Sequence, residues 1–492
     1  MTRRIVLDPV TRLEGHARIE IELDEAGEVA DARVVIPELR GFERFCLGRA
    51  AEEMPRITAH VCGVCPAAHH IASAKALDAL YGVTPPPAAR KVRDLYYHLF
   101  LLEDHALHFY YLGGPDLLVG GPDALRSIAG VVARLGQEVG RRVVEARRAA
   151  RGIMSEIAGR AGHPVFALPG GISRPLPAAT IARAREAAPG LVDFAAYSLD
   201  LFDAAAREGA AWRAAIDDEA FQARTHYAAL VGPEDEVSFT GGTLRVVDPD
   251  GRELARFAPE RYEEHIAETL EPWSWVRFPY LSAKGWKGFV DGPESGVYRV
   301  GPLARINVAA RMATPRAEAA RARMLEALRG RPVHATLAFH WARLVEALQA
   351  AEMVERLAND PELGEADVRR IPEAAPREGV GVVEAPRGTL IHHYRTDERG
   401  LLTGVRLLVA SQQNGAAMQL TVRRAAAALV RGGRAEPSAL DTLEMAYRAY
   451  DPCNACASHA LPGEMPMEVI VRSAGGAVVQ RLSRRIDREP SE

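Results

Sequence analysis

Cysteine is scarce in this chain, with five in 492 residues. An odd and small count does not suit a disulfide scaffold and points to a reducing compartment. Charge of one sign is missing as well: 61 Lys+Arg stand against 65 Asp+Glu, a formal net charge of −4. Without a Lys/Arg block there is no electrostatic footprint for nucleic acid. Apolar runs are broken by charge well before the ~18 residues a membrane span requires, so no transmembrane segment is expected. No apolar h-region follows Arg3-Arg4, where Asp8-Pro9 ends a run of three apolar residues, so no signal peptide is expected on this chain, and export carried by a partner is not excluded by that. Fixed-period repeats and low-complexity tracts are absent too. What is there is a chain with 48% hydrophobic and 6% aromatic residues, enough for a large core. At ~150 residues per domain its length suits about three domains or one composite fold.

The expected class is α+β, mainly helical, a long-helix bundle with small flanking β elements. Alternation over 17–23 and 31–36 around a glycine turn predicts a hairpin with one solvated face. Apolar residues at helical spacing follow over 88–112, after Pro85-Pro86-Pro87, and over 123–161, a run of about ten turns read as one strut. Further helices are predicted over 175–188, 191–213, 315–329, 334–357, 413–431 and 437–450. Short strands and loops are predicted over 237–300, and strands again over 379–408. The organisation that follows is an N-terminal hairpin with a first cysteine pair (1–84), a helical bundle (85–230), an irregular β insert (231–312), more bundle helices (313–378), a loop region with a second cysteine pair (379–459) and a C-terminal hairpin or cleavable tail (460–492).

Four of the five cysteines form two pairs almost a chain length apart, Cys62-Gly63-Val64-Cys65 and Cys453-Asn454-Ala455-Cys456. A C-x-x-C turn brings two sulfurs to one metal-sized point, and two such turns describe a zinc site as readily as anything else. A thioredoxin-type dithiol fits less well, because neither pair opens a helix after an evident βαβ strand. Structural zinc ligands usually come from one small module, which this separation is unlike.

The surroundings are more specific. Arg40-Gly41-Phe42-Glu43 precedes the first pair and Pro66-Ala67-Ala68-His69-His70 follows it; the second lies in Asp451-Pro452-Cys453-Asn454-Ala455-Cys456-Ala457-Ser458-His459. The N-terminus carries Asp8-Pro9-Val10-Thr11-Arg12-Leu13-Glu14-Gly15-His16. Between them stand His163-Pro164 with Pro169-Gly170-Gly171, Glu384-Ala385-Pro386-Arg387-Gly388, and Ser411-Gln412-Gln413-Asn414. In these motifs and their order the chain resembles the large subunit of nickel–iron hydrogenases, along nearly its whole length. One position departs: the family usually has Arg two residues before the first cysteine, where this chain has His60, its nearest Arg being Arg56.

The resemblance implies a nickel held by all four thiolates, with Cys62 and Cys453 terminal and Cys65 and Cys456 bridging to an iron that carries CO and cyanide. Soft thiolates suit nickel and low-spin iron and reject hard magnesium. A Lewis-acidic nickel polarises H2, and a proton passes to a nearby base. Cys453 and Arg387 are the two candidates. An arginine is almost never deprotonated, and Asp104 and Asp451, which match acidic residues beside that guanidinium, would equally keep it charged, so its role stays open. Glu14 matches the proton-relay glutamate. His69 is expected to hydrogen-bond a bridging sulfur, and Pro386, the Arg387 amide and the Ser411 hydroxyl fall to the cyanide pocket. Glu43, His459 and a backbone carbonyl near Leu407 resemble the ligands of a second, hard metal, Mg2+, which keeps few protein ligands and several waters. His98, His105 and His108 are read as a core or interface stripe.

Only Cys46 is then uncommitted, whereas an iron–sulfur cluster needs about four cysteines. The resemblance therefore implies an iron–sulfur small subunit, maturation proteins, and further electron-transfer subunits serving NAD(P), ferredoxin or a similar carrier; no Gly-rich nucleotide fingerprint follows a strand here. The residues from Cys65 to Asp78 look most like the cytoplasmic, cofactor-coupled group. Family members are often cut after the last motif histidine, here His459. The segments 468–473 and 477–482 read as a hairpin, which favours retention of the tail. Two rival functions remain: a non-hydrogenase relative in a respiratory complex, and a zinc-stabilised structural protein.

Overall fold

The computed structural model describes residues 3–119, 126–160, 162–208, 215–373, 377–432, 434–435, 437–458, 467–472 and 478–484. The N-terminal sheet is an antiparallel meander of β1 (Arg3–Leu7), β2 (Arg18–Leu23) and β3 (Val29–Val35). The alternation predicted β2 and β3; β1 adds along the outer edge of β2, and Val6 on it is exposed. Ile19, Ile21 and Leu23 of β2 are fully buried, which fixes the register, since a slip of one residue would turn them to solvent.

The bundle consists of α1 (Pro66–Leu80), α2 (Pro87–Leu107), α3 (Ile128–Leu135), α4 (Gln137–Ala158) and α5 (Ala178–Glu208), joined later by α6 (Pro302–Val308), α7 (Pro315–Ala327) and α8 (Phe339–Ala358). α1, α2, α6 and α7 each open with Pro in the first turn, where its missing N–H costs nothing. α2 and α8 are buried nearly all round and pack on each other, with α5, α4 and α7 outside them. Helices buried on every side belong at the centre of a bundle, and the charged groups these two carry are met there by buried partners.

Three helix predictions are corrected. The strut expected over 123–161 is two helices, broken at Gly136, whose φ of 92° is open to glycine but costly for other residues. Residues 120–125 and 161 lie outside the described set. Conversely, the helices expected over 175–188 and 191–213 are one as far as Glu208, with 209–214 outside the described set: α5 runs through Pro189. Ala188, Leu191 and Val192 are buried on either side of it, so packing against α8 holds the helix where the ring removes one hydrogen bond. Finally, α2 is α-helical only to Leu107 and ends in a π-helical turn, His108–Leu112.

Between bundle segments lies a four-stranded sheet of β4 (His226–Val231), β5 (Thr243–Val247), β6 (Glu253–Phe257) and β7 (Tyr298–Arg299), in the order β7-β4-β5-β6. The third sheet, antiparallel β8 (Glu378–Ala385), β9 (Gly388–Thr396) and β10 (Leu402–Leu408), packs on α1. α9 (Gly415–Leu429) and α10 (Pro437–Arg448) follow, and β11 (Met467–Arg472) pairs antiparallel with β12 (Val478–Arg484) as the expected tail hairpin. Among the described residues no helix is long and apolar enough to cross a membrane.

Candidate metal centre

The first cysteine pair sits in the turn that opens α1. Pro66 occupies the first helical position after Cys65, and the amides of Val64 and Cys65 each point at Cys62 Sγ from 3.3 Å. Backbone donors at a helix N-terminus favour negative charge, so this turn is built to receive a thiolate. The second pair begins where α10 ends. The chain turns left-handed at Asp451, φ 55°, passes Pro452, and lays Cys453 beside Glu14 in a parallel bridge, with the Asn454 amide on Glu14 O at 3.0 Å. Gly15 allows this approach: its φ is 79°, and a Cβ there would stand 2.9 Å from the Ala455 amide nitrogen.

The two ends of the chain thus close on one point. All four Sγ atoms lie within 4.8 Å of one another and all four residues are buried. Cys62 and Cys453 are 3.1 Å apart, Cys65 and Cys456 3.3 Å, and Cys453 and Cys456 2.8 Å, and none of the four is joined in a disulfide. Burial opposes ionisation of Cys62, but hydrogen bonds from the other three sulfurs and the charge of Arg387 outweigh it and hold that thiol below its ordinary value. Burial pushes Cys453 and Cys456 up, so a positive centre between the four is what would make all of them thiolates at once. A compact, buried, all-sulfur donor set fits a soft transition metal.

His69 meets Cys456 Sγ through Nε2, 3.4 Å, and its Nδ1 meets His392 Nε2 at 3.0 Å. His392 Nδ1 reaches Tyr394 Oη at 2.6 Å, which in turn lies 2.9 Å from Ser73 Oγ. With Cys456 as a thiolate, His69 Nε2 is the donor to sulfur, and the contacts through His392 and Tyr394 fix that ring against β9. Alternation in β9 places His392 and Tyr394 on one face, a signal that the sequence contains outside its recognised motifs.

Arg387 is at the tip of the two-residue hairpin between β8 and β9, 3% exposed, with Asp104 Oδ2 3.3 Å from Nη1 and Asp451 3.1 Å from Nη2. Burial alone would lower its pKa; the carboxylates of Asp104 and Asp451 more than reverse that. Burial, partly offset by Arg387, raises Asp104 to about 7. The hairpin is held from behind by Arg305, which ion-pairs with Glu346 and Glu384 and donates to Ala385 O (3.1 Å) and Pro386 O (3.5 Å). All three charged side chains are fully buried. Asn414 Nδ2 adds a bond to Arg387 O at 3.2 Å. Arg305 and Glu346 stand in none of the motifs read from the sequence.

Glu14 Oε2 lies 3.0 Å from Cys453 Sγ and accepts from the Ala455 amide at 3.2 Å. Burial, reinforced by Cys62, raises its pKa. Ser411 Oγ accepts the Cys453 amide at 2.8 Å, which leaves its hydroxyl proton to donate elsewhere. Glu43 receives the Leu407 amide at 2.7 Å, so this carboxylate stands at the backbone of β10 and faces an N–H there. His459 lies outside the described residues. His98, His105 and His108 are all buried, as a core stripe would be. At the departing position, Arg40 takes over the loop: Nη1 donates to Val61 O at 2.6 Å and Nη2 to His60 O at 3.5 Å, while the His60 ring stacks on His163 at 4.3 Å and 2°.

Comparison with known proteins matches a family described as nickel-dependent hydrogenase over residues 40–129 and 252–459, and one described as HoxL-like over residues 4–39. The chain is 41% identical to a protein of Archaeoglobus profundus named as an F420-non-reducing hydrogenase iron-sulfur subunit, covering 98% of this chain and 99% of that one. It is 37% identical to the NAD-reducing hydrogenase HoxS subunit beta of Cupriavidus necator, over 98% and 100%. Among solved structures, an NAD+-reducing [NiFe]-hydrogenase in the H2-reduced state superposes with TM-score 0.87 and 38% identity, covering 93% of this chain and all of that one. The Ni-Fe-Se hydrogenase of D. vulgaris Hildenborough, 22% identical with TM-score 0.72 over 93% of this chain and 100% of that one, shares the fold.

Proposed function

Since the chain belongs to the nickel-dependent hydrogenases, as a catalytic large subunit, we propose that it interconverts H2 with protons and electrons at a nickel–iron centre on Cys62, Cys65, Cys453 and Cys456. Cys62, Cys65, Cys453 and Cys456 would hold the nickel, and Cys65 and Cys456 would hold with it an iron bearing CO and cyanide. The observation that carries this is the convergence of four buried thiols from opposite ends of the chain. When bound, the metals supply a Lewis-acidic site that polarises H2.

The chain's own residues handle the proton. Cys453 Sγ takes it and passes it across 3.0 Å to Glu14 Oε2, whose raised pKa keeps the carboxyl able to carry it. Arg387 works as a fixed cation beside the cysteine cluster and not as the base, because two carboxylates hold its proton in place. His69 Nε2 supports the sulfur of Cys456 from 3.4 Å. The Ser411 hydroxyl, the Arg387 amide and Pro386 line the cyanide pocket. Glu43, the Leu407 carbonyl and His459 would hold a magnesium ion; the place of Glu43 at the backbone of β10 supports this.

With Cys46 the one cysteine left, electrons leave through an iron–sulfur small subunit. The relatives' names denote parts of larger hydrogenases, which supports a cytoplasmic complex with further subunits that serve NAD(P), ferredoxin or a similar carrier, assembled with the help of maturation proteins. The paired strands β11 and β12 support retention of the tail, and intact mass of the metal-loaded protein tests it: a chain ending at His459 refutes retention. The reading as a whole is tested by elemental analysis with infrared spectroscopy. Nickel with CO and cyanide bands is expected; zinc without nickel or those bands would overturn it.

A further inference from the structure

The end of α10 and the turn after it are gripped by side chains from two other helices. The last carbonyls of a helix have no partner within it, and here they are met in the dry interior. Arg448 O accepts from His108 Nε2 at 3.1 Å, and Ala449 O from Arg343 Nη2 at 3.3 Å. Both donors are buried, His108 1% and Arg343 0% exposed. Arg448 O also takes the Asp451 amide at 2.8 Å, and Asp451 itself has the left-handed φ of 55° that non-glycine residues rarely adopt. Its carboxylate meets Arg387 at 3.1 Å and comes within 3.9 Å of His108 Nε2. Cys453 follows two residues on.

The place of His108 is itself prepared. The residue opens the π-helical turn His108–Leu112, a local break that recurs at functional sites. Its ring stacks on His340 at 5.3 Å, and Gly113 leaves room for both: a Cβ there would stand 2.5 Å from His108 Cε1 and 2.6 Å from His340 Cε1. Burial keeps the imidazole neutral, so one ring nitrogen carries a proton to donate and no charge is required. Arg343, lowered by burial to about 10, remains charged at neutral pH.

We infer that His108 and Arg343 form a buried two-point cap on the Arg448 and Ala449 carbonyls that sets the Asp451–Cys453 turn, aiming the Asp451 carboxylate at Arg387 and Cys453 Sγ at Glu14. They are positioning residues: neither touches the sulfurs. The inference rests on the reading of Cys453 as a nickel ligand.

The test uses the metal-loaded complex. His108→Ala removes the donor, His108→Gln keeps an N–H of similar reach, and Gly113→Ala leaves both imidazoles but takes their space. At wild-type nickel content, His108→Ala and Gly113→Ala are expected to shift or broaden the CO and cyanide bands. Each should lower kcat for H2 oxidation roughly tenfold to a hundredfold, with KM for H2 little changed. His108→Gln should restore most of both. Wild-type bands and kcat in His108→Ala, or no recovery in His108→Gln, would overturn the inference. Should His108→Ala fail to load nickel, Gly113→Ala and Arg343→Lys are read by the same bands, and unchanged bands in both sink it. Absence of nickel or of the bands in the wild-type protein would instead sink the underlying reading.

Discussion

His70 has both ring nitrogens committed: Nδ1 donates to Pro55 O at 3.0 Å and Nε2 accepts the Ala167 amide at 3.0 Å. Burial lowers its pKa to about 4, against roughly 6.5 in the unfolded chain. The stability it contributes is therefore present above pH 6.5 and is lost as pH falls toward 4, because the unfolded chain takes up the proton first. That difference amounts to about 3 kcal/mol, and His70→Gln should flatten the fall in denaturation midpoint between pH 6.5 and 4; an equally steep fall in the variant would refute the assignment. Glu14 gives a chemical prediction at the same scale: Glu14→Gln keeps the nickel and loses H2/D+ exchange, and exchange at the wild-type rate would remove Glu14 from the relay. Glu14, Asp451 and Arg387 were legible in the sequence because each sits in a short motif. His392, Arg343 and Arg305 were not. Their partners lie far away in the chain, and a buried arginine in a helix looks in sequence like any exposed one.

At the scale of elements, one misplaced boundary lies where a local glycine signal outweighed the hydrophobic period, and another where packing overruled a local proline signal. Gly136 broke a run that looked continuous, and Pro189 failed to break one that looked divided. Pro189 is exposed and sits mid-helix, so Pro189→Ala should raise stability by about 1 to 3 kcal/mol by restoring a hydrogen bond, measured as a shift in denaturant midpoint. An unchanged or lowered midpoint would mean that the ring is accommodated without cost. Where α6, α8 and β8 meet, Arg305 is ion-paired on both sides with no exposure. Removing one partner leaves a buried charge uncompensated, and Glu346→Gln is expected to cost about 3 to 5 kcal/mol. A loss below about 1 kcal/mol would show that the cluster does not brace the Arg387 hairpin.

For the whole molecule, the bundle class, the flanking sheets and the pairing of the tail strands could be read from hydrophobic period and turn residues alone, since these signals are local. The closure of the chain on itself could not be read from period; it came from cysteine spacing and the boxes around it. The same scarcity of cysteine makes a compositional prediction. Purified alone with its metals, the chain should contain iron equal to nickel, whereas the intact complex should contain a several-fold excess of iron from partner clusters. Excess iron in the isolated chain would contradict that division of labour.

Closure across the ends also imposes an order in time. Cys62 and Cys453 are 391 positions apart, so at ~5 to 20 residues per second the ribosome completes the first pair roughly 20 to 80 s before the second. Throughout that interval the nascent protein is a half-built chelate, two thiols on the end of α1 with nothing opposite them. A metal that arrived then would find an incomplete and unselective site. Because the second pair is synthesised so long after the first, only a chain translated past Cys456 can hold its metals in a four-sulfur cage, and the sequence thereby delays selectivity until both pairs exist.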